Sequence, residues 1–146
     1  MPDLPSLLGS ELDAAKGFLS LLKEEESALI AGDVDRLSAI VNEKYGHLQN
    51  ISRLTQERLQ QLPLSGTAAW LENHPEASKL WQELIRVSEE IRLTNDINGK
   101  MIDVRLRSTQ QALNMLNSLV NQTTNLYGPD GQASVGIQAG LNRDSA

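Results

Sequence analysis

From Glu76 to about Asn121 a single stripe runs along the chain: Leu80, Leu84, Val87, Ile91, then Asn95 and Asn98, then Ile102, Leu106, Thr109, Leu113, Leu116 and Val120. Every step is three or four residues, the spacing of one face of an α-helix. No proline interrupts the stretch and Gly99 is its only glycine. The pattern therefore predicts one helix of roughly 69 Å at about 1.5 Å per residue. A first helix is expected over about residues 6–31, with a face of Leu4, Leu8, Leu12, Ala15, Leu19, Leu22 and Leu29, widened by Leu7, Phe18, Leu21 and Ile30. Gly32 can close it in the left-handed conformation, and Asp33 is a good N-cap for a second helix. That helix, about 33–61, carries Leu37, Val41, Leu48, Ile51, Leu54 or Thr55, and Leu59. So short a link makes the two helices antiparallel neighbours.

Two positions of the second helix where an apolar residue is due hold Lys44 and Arg58. Both are expected to lay their stems on the core and keep their charged heads in water. The helix ends before Pro63, and residues 62–75 are too long for a tight turn. Ser65 or Thr67 can cap a single turn through Trp70 and Leu71, with Trp70 and Trp81 as anchors at one end of the hairpin. After Asn121 the character changes. Residues 122–146 hold four of the ten glycines, Pro129 and only three charges. The expected organisation is one helical domain over 1–121 and a flexible tail over 122–146.

Composition narrows the fold. Aromatics are only 3%, so the core must be built from Leu, Ile, Val and Ala, which suits helices packed in coiled-coil fashion. The fold class is all-α: an antiparallel hairpin packed on one long C-terminal helix. A net charge of −6 and a pI near 4.9 argue against a nucleic-acid partner, which calls for a basic face. Apolar runs are too short for a membrane span. The first residues lack the basic start and apolar run of a signal peptide, so a cytoplasmic location is expected.

Candidate chemistry fails residue by residue. There is no cysteine, hence no disulfide framework and no thiolate. A di-metal bundle needs Glu-x-x-His pairs, but His47 and His74 are preceded at minus three by Lys44 and Leu71. Glu43 and His47 share a helix face, which is too few ligands for a metal. Glu24-Glu25-Glu26 has the look of a solvated helix face. No nucleophile elbow or phosphate loop is present. No enzymatic activity, cofactor or metal is expected.

What the stripe offers instead is a binding surface. The first two helices are roughly 40 Å long each, so they would cover the third to about residue 104 and leave its end bare. That end carries Leu106, Leu113, Leu116, Leu119 and Val120, with Met115 beside them. An exposed apolar patch of this size marks an interaction site, and an amphipathic helix is the natural partner. Two other outcomes compete: a break at Asn98-Gly99 giving a compact four-helix bundle, and burial of the overhang in a homodimer. Asn95 and Asn98 interrupt the stripe as a structural polar pair. A buried amide left unpaired costs about 1–3 kcal/mol, so each should find a partner, with Lys44 or a backbone carbonyl of the hairpin as candidates.

In their order and spacing, these features resemble the FlgN family of flagellar export chaperones. The matching residues are Leu22, Glu25, Ala28-Leu29, Gly32-Asp33, Leu37, Lys44, Leu48, Leu54 and Arg58 in the hairpin. Further along come Trp81 with Leu84, Asn95-x-x-Asn98, Ile102, and Leu126-Tyr127-Gly128 with Gly131. The resemblance implies a type III secretion chaperone that keeps the hook-associated proteins FlgK and FlgL from premature assembly. It implies that their C-terminal helical segments lie on the second half of the long helix, and that Tyr127-Gly128 bears on the export gate protein FlhA. A self-assembling coiled-coil protein and an adaptor of another secretion system are the rival functions.

Overall fold

The computed structural model describes residues 3–62 and 66–126. In order the elements are α1 (Leu4–Ala31), α2 (Val34–Gln61), α3 (Thr67–Glu72) and α4 (Pro75–Leu126), with no strand among the described residues. The protein is all-α. Asp3 starts α1 by accepting a hydrogen bond from the Ser6 amide at 2.9 Å, so the helix begins with Leu4, the first residue of its apolar face, and not at about residue 6. Gly32 closes α1 at φ 71°, a left-handed conformation that costs a residue with a side chain roughly 1–2 kcal/mol. Asp33 then accepts from the Arg36 amide at 3.0 Å and opens α2. Gly66, not a side chain, stands at the cap of α3, and Thr67 is already helical.

α4 is one helix through Asn98-Gly99, so the four-helix alternative with a break there is overturned. It also passes the expected end at Asn121 and reaches Leu126. Residues 122–126 of the expected tail thus belong to α4, and Tyr127, Gly128 and the residues after them lie outside the described residues. An added Cβ on Gly99 meets nothing within 4 Å. Gly99→Ala is therefore expected to raise stability by roughly 0.5–1 kcal/mol, measured by urea unfolding, through lower backbone entropy in the unfolded chain. A loss of stability would show that Gly99 is held for a contact.

The chain divides into two compact units, Met1–Met101 and Ile102–Ala146. In the first, α1 is the central helix. Leu8, Leu12, Ala15 and Leu19 pack against Ala77, Leu84 and Val87 of α4, with Trp70, Leu71 and Trp81 closing that cluster. Leu21 and Ala28 pack against Ile40 and Leu37 of α2. Each fully buried aliphatic side chain contributes roughly 1.5–3 kcal/mol, so α1, buried along two faces, holds the unit together.

α2 turns inward much of the face its pattern predicts, including Leu37, Lys44, Ile51, Leu54 and Arg58, but rotated so that Val41, Leu48 and Leu59 fall outside it. Ile40 and Leu54 are buried, while Val41, Leu48 and Leu59 are exposed by half or more. The inward positions are 37, 40, 44, 47, 51, 54 and 58, which include Lys44, His47 and Arg58. On α4 the inward residues are Ala77, Leu84, Val87, Ile91, Thr94 and Asn98. Asn95 is exposed, so it is not a buried partner of Asn98; the inward turn after Ile91 falls on Thr94. The outer face of α4 is laced by Arg86 with Glu83 and Glu90, and by Arg92 with Glu89 and Asp96. Hydrogen bonds from Arg86 and Arg92 hold the Glu83 and Glu89 carboxyls below their ordinary value of 4.5. A depressed carboxyl pKa favours the fold above the ordinary value, and the contribution fades as pH falls through the lowered one. These pairs lie at the surface, where solvent screens them, so the effect is small.

Candidate functional site

Residues 102–126 continue α4, and every side chain from Ile102 to Val120 is exposed. At roughly 100° per residue, Ile102, Leu106, Leu113, Leu116 and Val120 fall on one face. Leu106 is 63% exposed and Val120 49%. Leu119 lies further round the helix, and Met115 is nearly opposite the stripe, so Met115 does not belong to the same surface. Several of the polar side chains along this segment bond within the helix. Gln110 donates to Asn114 Oδ1 at 3.1 Å, and Ser118 and Thr124 donate to carbonyls one turn back. From Ser108 to Thr124 no residue carries a charge. The result is an apolar stripe flanked by charges at Asp103, Arg105 and Arg107 and by amides beyond them. It has no nucleophile, no general base and no ligand set, and no metal-binding cluster occurs among the described residues.

The first unit holds its polar residues differently. Glu25, in the middle of the acidic run, is buried, which corrects the expectation of a solvated face. Its carboxylate accepts from Lys44 Nζ at 3.2 Å and from Asn98 Nδ2 at 2.8 Å, and Asn98 also donates to the Leu22 carbonyl at 2.9 Å. One carboxylate thus joins α1, α2 and α4. Glu11, also buried, is paired with Arg58, whose guanidinium lies 5.0 Å above the Trp81 ring, and accepts from Thr55 at 3.5 Å. Lys44 and Arg58 therefore do not carry their heads into water. They turn them onto buried carboxylates.

Neither glutamate stands out by its hydropathy pattern, although a signal was there. Glu11 and Glu25 lie fourteen residues apart on α1, as Lys44 and Arg58 do on α2. In an antiparallel pair the numbers of facing residues have a constant sum, and both bridges give 69. A slip by one heptad would set Glu25 against Leu37 or Ile51, leaving a buried charge unpaired. The two bridges fix the register of the hairpin.

A third feature is a groove of about 840 Å³ in the first unit. Ala15 and Phe18 of α1 form its floor, with Leu48 and Ile51 of α2 on one side and Trp81 and Ile85 of α4 on the other. Its charged lining residues pair among themselves, Glu11 with Arg58 and Glu89 with Arg92.

The described residues form a helical hairpin packed on the first part of a long helix whose second part exposes an aliphatic face, an all-α protein. The family model described as FlgN protein matches residues 1–134, and the chain belongs to that family. It is similar to the flagella synthesis protein FlgN of Yersinia enterocolitica, at 28% identity over 132 residues covering 89% of this chain and 88% of that protein. The protein of the same description from Proteus mirabilis is 28% identical over 142 residues, 96% of each chain. That of Escherichia coli K12 is 30% identical over 139 residues, 91% of this chain and 94% of the other. No solved structure matches the chain. Among the described residues no helix is long and apolar enough to cross a membrane.

Proposed function

We propose that this protein is a cytoplasmic export chaperone of flagellar synthesis that holds the C-terminal helical segments of the hook-associated proteins FlgK and FlgL. In this reading the segments lie on the face formed by Leu106, Leu113, Leu116 and Val120, with Leu119 at its edge. The observation that carries it is the run of exposed aliphatic side chains on the second half of α4, uncharged from Ser108 to Thr124. Such a surface gains by covering the apolar side of an amphipathic helix, and the guest is kept from assembling early by the same contact. The flanking amides adapt to more than one guest. Affinity stays moderate because the guest must be released, with FlhA at the export gate as the receiver and Tyr127-Gly128 as the contact. No step of this cycle needs a cofactor or catalysis by the chain.

The direct test is co-purification of the full chain with the C-terminal helices of a hook-associated protein. A stable complex of defined stoichiometry is the expected result. A free protein that instead grows in mass without limit as concentration rises would favour a structural scaffold.

A further inference from the structure

Asn98 is the one asparagine of the chain that a glycine follows. That pair carries a reaction of its own. The Gly99 nitrogen can attack the side-chain carbonyl carbon of Asn98, closing a cyclic imide as the bond from that carbon to Nδ2 breaks and ammonia leaves. Water then opens the imide to an aspartate, or to an isoaspartate whose main chain runs through the former side chain. Nothing but water is consumed. Glycine hastens the closure because it has no side chain to crowd the approach.

The fold withholds each thing the reaction needs. α4 runs unbroken through the pair, and a helix commits every N–H to the carbonyl four residues back, so the Gly99 nitrogen keeps its proton and its place. The departing nitrogen, Nδ2, donates to the Leu22 carbonyl at 2.9 Å and to Glu25 Oε1 at 2.8 Å. Asn98 is 1% exposed, so water and base are kept from it. The product does not fit the same seat. A carboxylate there would set acceptor against acceptor at Leu22 and like charge against like at Glu25, whose partner Lys44 is already engaged. Its other oxygen fares no better, because among the described residues Asn98 Oδ1 has no donor. We propose that Asn98 is a self-modification site uncovered only when the first unit opens, and that the modified chain does not re-form the junction of α1, α2 and α4. A chain that has once opened is thereby marked for good. The proposal is independent of the function proposed above, since it concerns the first unit alone.

The test incubates the purified full chain in mildly alkaline buffer, with and without urea, and follows by mass spectrometry the tryptic peptide 93–100, released by cleavage after Arg92 and Lys100. In the unfolded chain Asn98 should be the first asparagine to lose ammonia. In native buffer its loss should be at least about a hundredfold slower, and it should quicken as urea rises toward the unfolding midpoint, in step with the opened population. Gly99→Ala should slow the reaction in the unfolded chain, where no fold protects it, which ties the product to ring closure. Asn98→Asp, the chemical equivalent of one product, should unfold at lower urea than the parent. Comparable rates with and without urea would overturn the gating by the fold. An Asn98→Asp chain as stable as the parent would overturn the permanence of the mark.

Discussion

Leu113→Asp combined with Leu116→Asp is expected to abolish capture of hook-associated cargo in a pull-down while the far-UV circular dichroism stays that of the parent. Both side chains are exposed in the free protein, at 49% and 57%, so the fold loses little. In the complex each would be covered, and burial of one leucine is worth roughly 1.5–3 kcal/mol. Losing two amounts to about 3–6 kcal/mol, or roughly a hundredfold to ten-thousandfold in Kd. Met115→Asp provides the contrast. Met115 is the more exposed at 67%, yet it faces away from the stripe, and its replacement should leave capture nearly intact. Equal losses in both variants would mean that cargo recognises hydrophobicity in general and not this face. Unchanged capture by the double variant would remove the site from this helix.

The second large effect concerns the hairpin. Arg58→Ala, or Glu11→Ala, should cost roughly 3–5 kcal/mol in urea unfolding, because each leaves a buried charge without its partner. The pair is well enclosed, with side-chain exposures of 11% and 5%. Replacing both together, as Glu11→Met with Arg58→Met, should bring stability back to near the parent value, because two desolvated charges disappear at once. The contrast between single and double variants is the diagnostic. If each single change costs less than about 1 kcal/mol, the pair behaves as a surface bridge and the burial argument fails. The Glu25–Lys44 bridge should follow the same pattern more weakly, since the Lys44 side chain is 24% exposed.

What could be read from the residues depended on how each signal is encoded. Gly32-Asp33 announced the hairpin because a left-handed closure and an N-cap are local chemistry, independent of the rest of the chain. The length of α4 was legible for the same reason: its one proline, Pro75, is its first residue, and Gly99 is tolerated within a helix. The inward face of α2 was legible only in part: Leu37, Lys44, Ile51, Leu54 and Arg58 stand on it as the pattern puts them. Val41, Leu48 and Leu59 look like core but lie outside it, and the heads expected in water for Lys44 and Arg58 lie on carboxylates. Those two cations face inward because Glu11 and Glu25 wait for them, and pairing across two helices leaves no trace in the hydropathy of either. Asn95 went wrong by a single residue: steps of three and four permit either 94 or 95 after Ile91, and only packing decides. The residues of the candidate cargo face, Leu106, Leu113, Met115, Leu116, Leu119 and Val120, all stand exposed on α4. Their division into a shared face and an outlying Met115 follows from the turn of the helix.

The absence of any ionised group between Ser108 and Thr124 has a kinetic consequence. A guest approaching this surface feels no long-range attraction from it, so encounter should proceed at the unassisted rates of about 10⁵–10⁶ per molar per second. Added sodium chloride should hardly change them. Differences among guests would then reside in how long each stays bound, set by the fit of aliphatic side chains after contact, and a guest with a misplaced carboxylate or ammonium would be rejected by rapid departure.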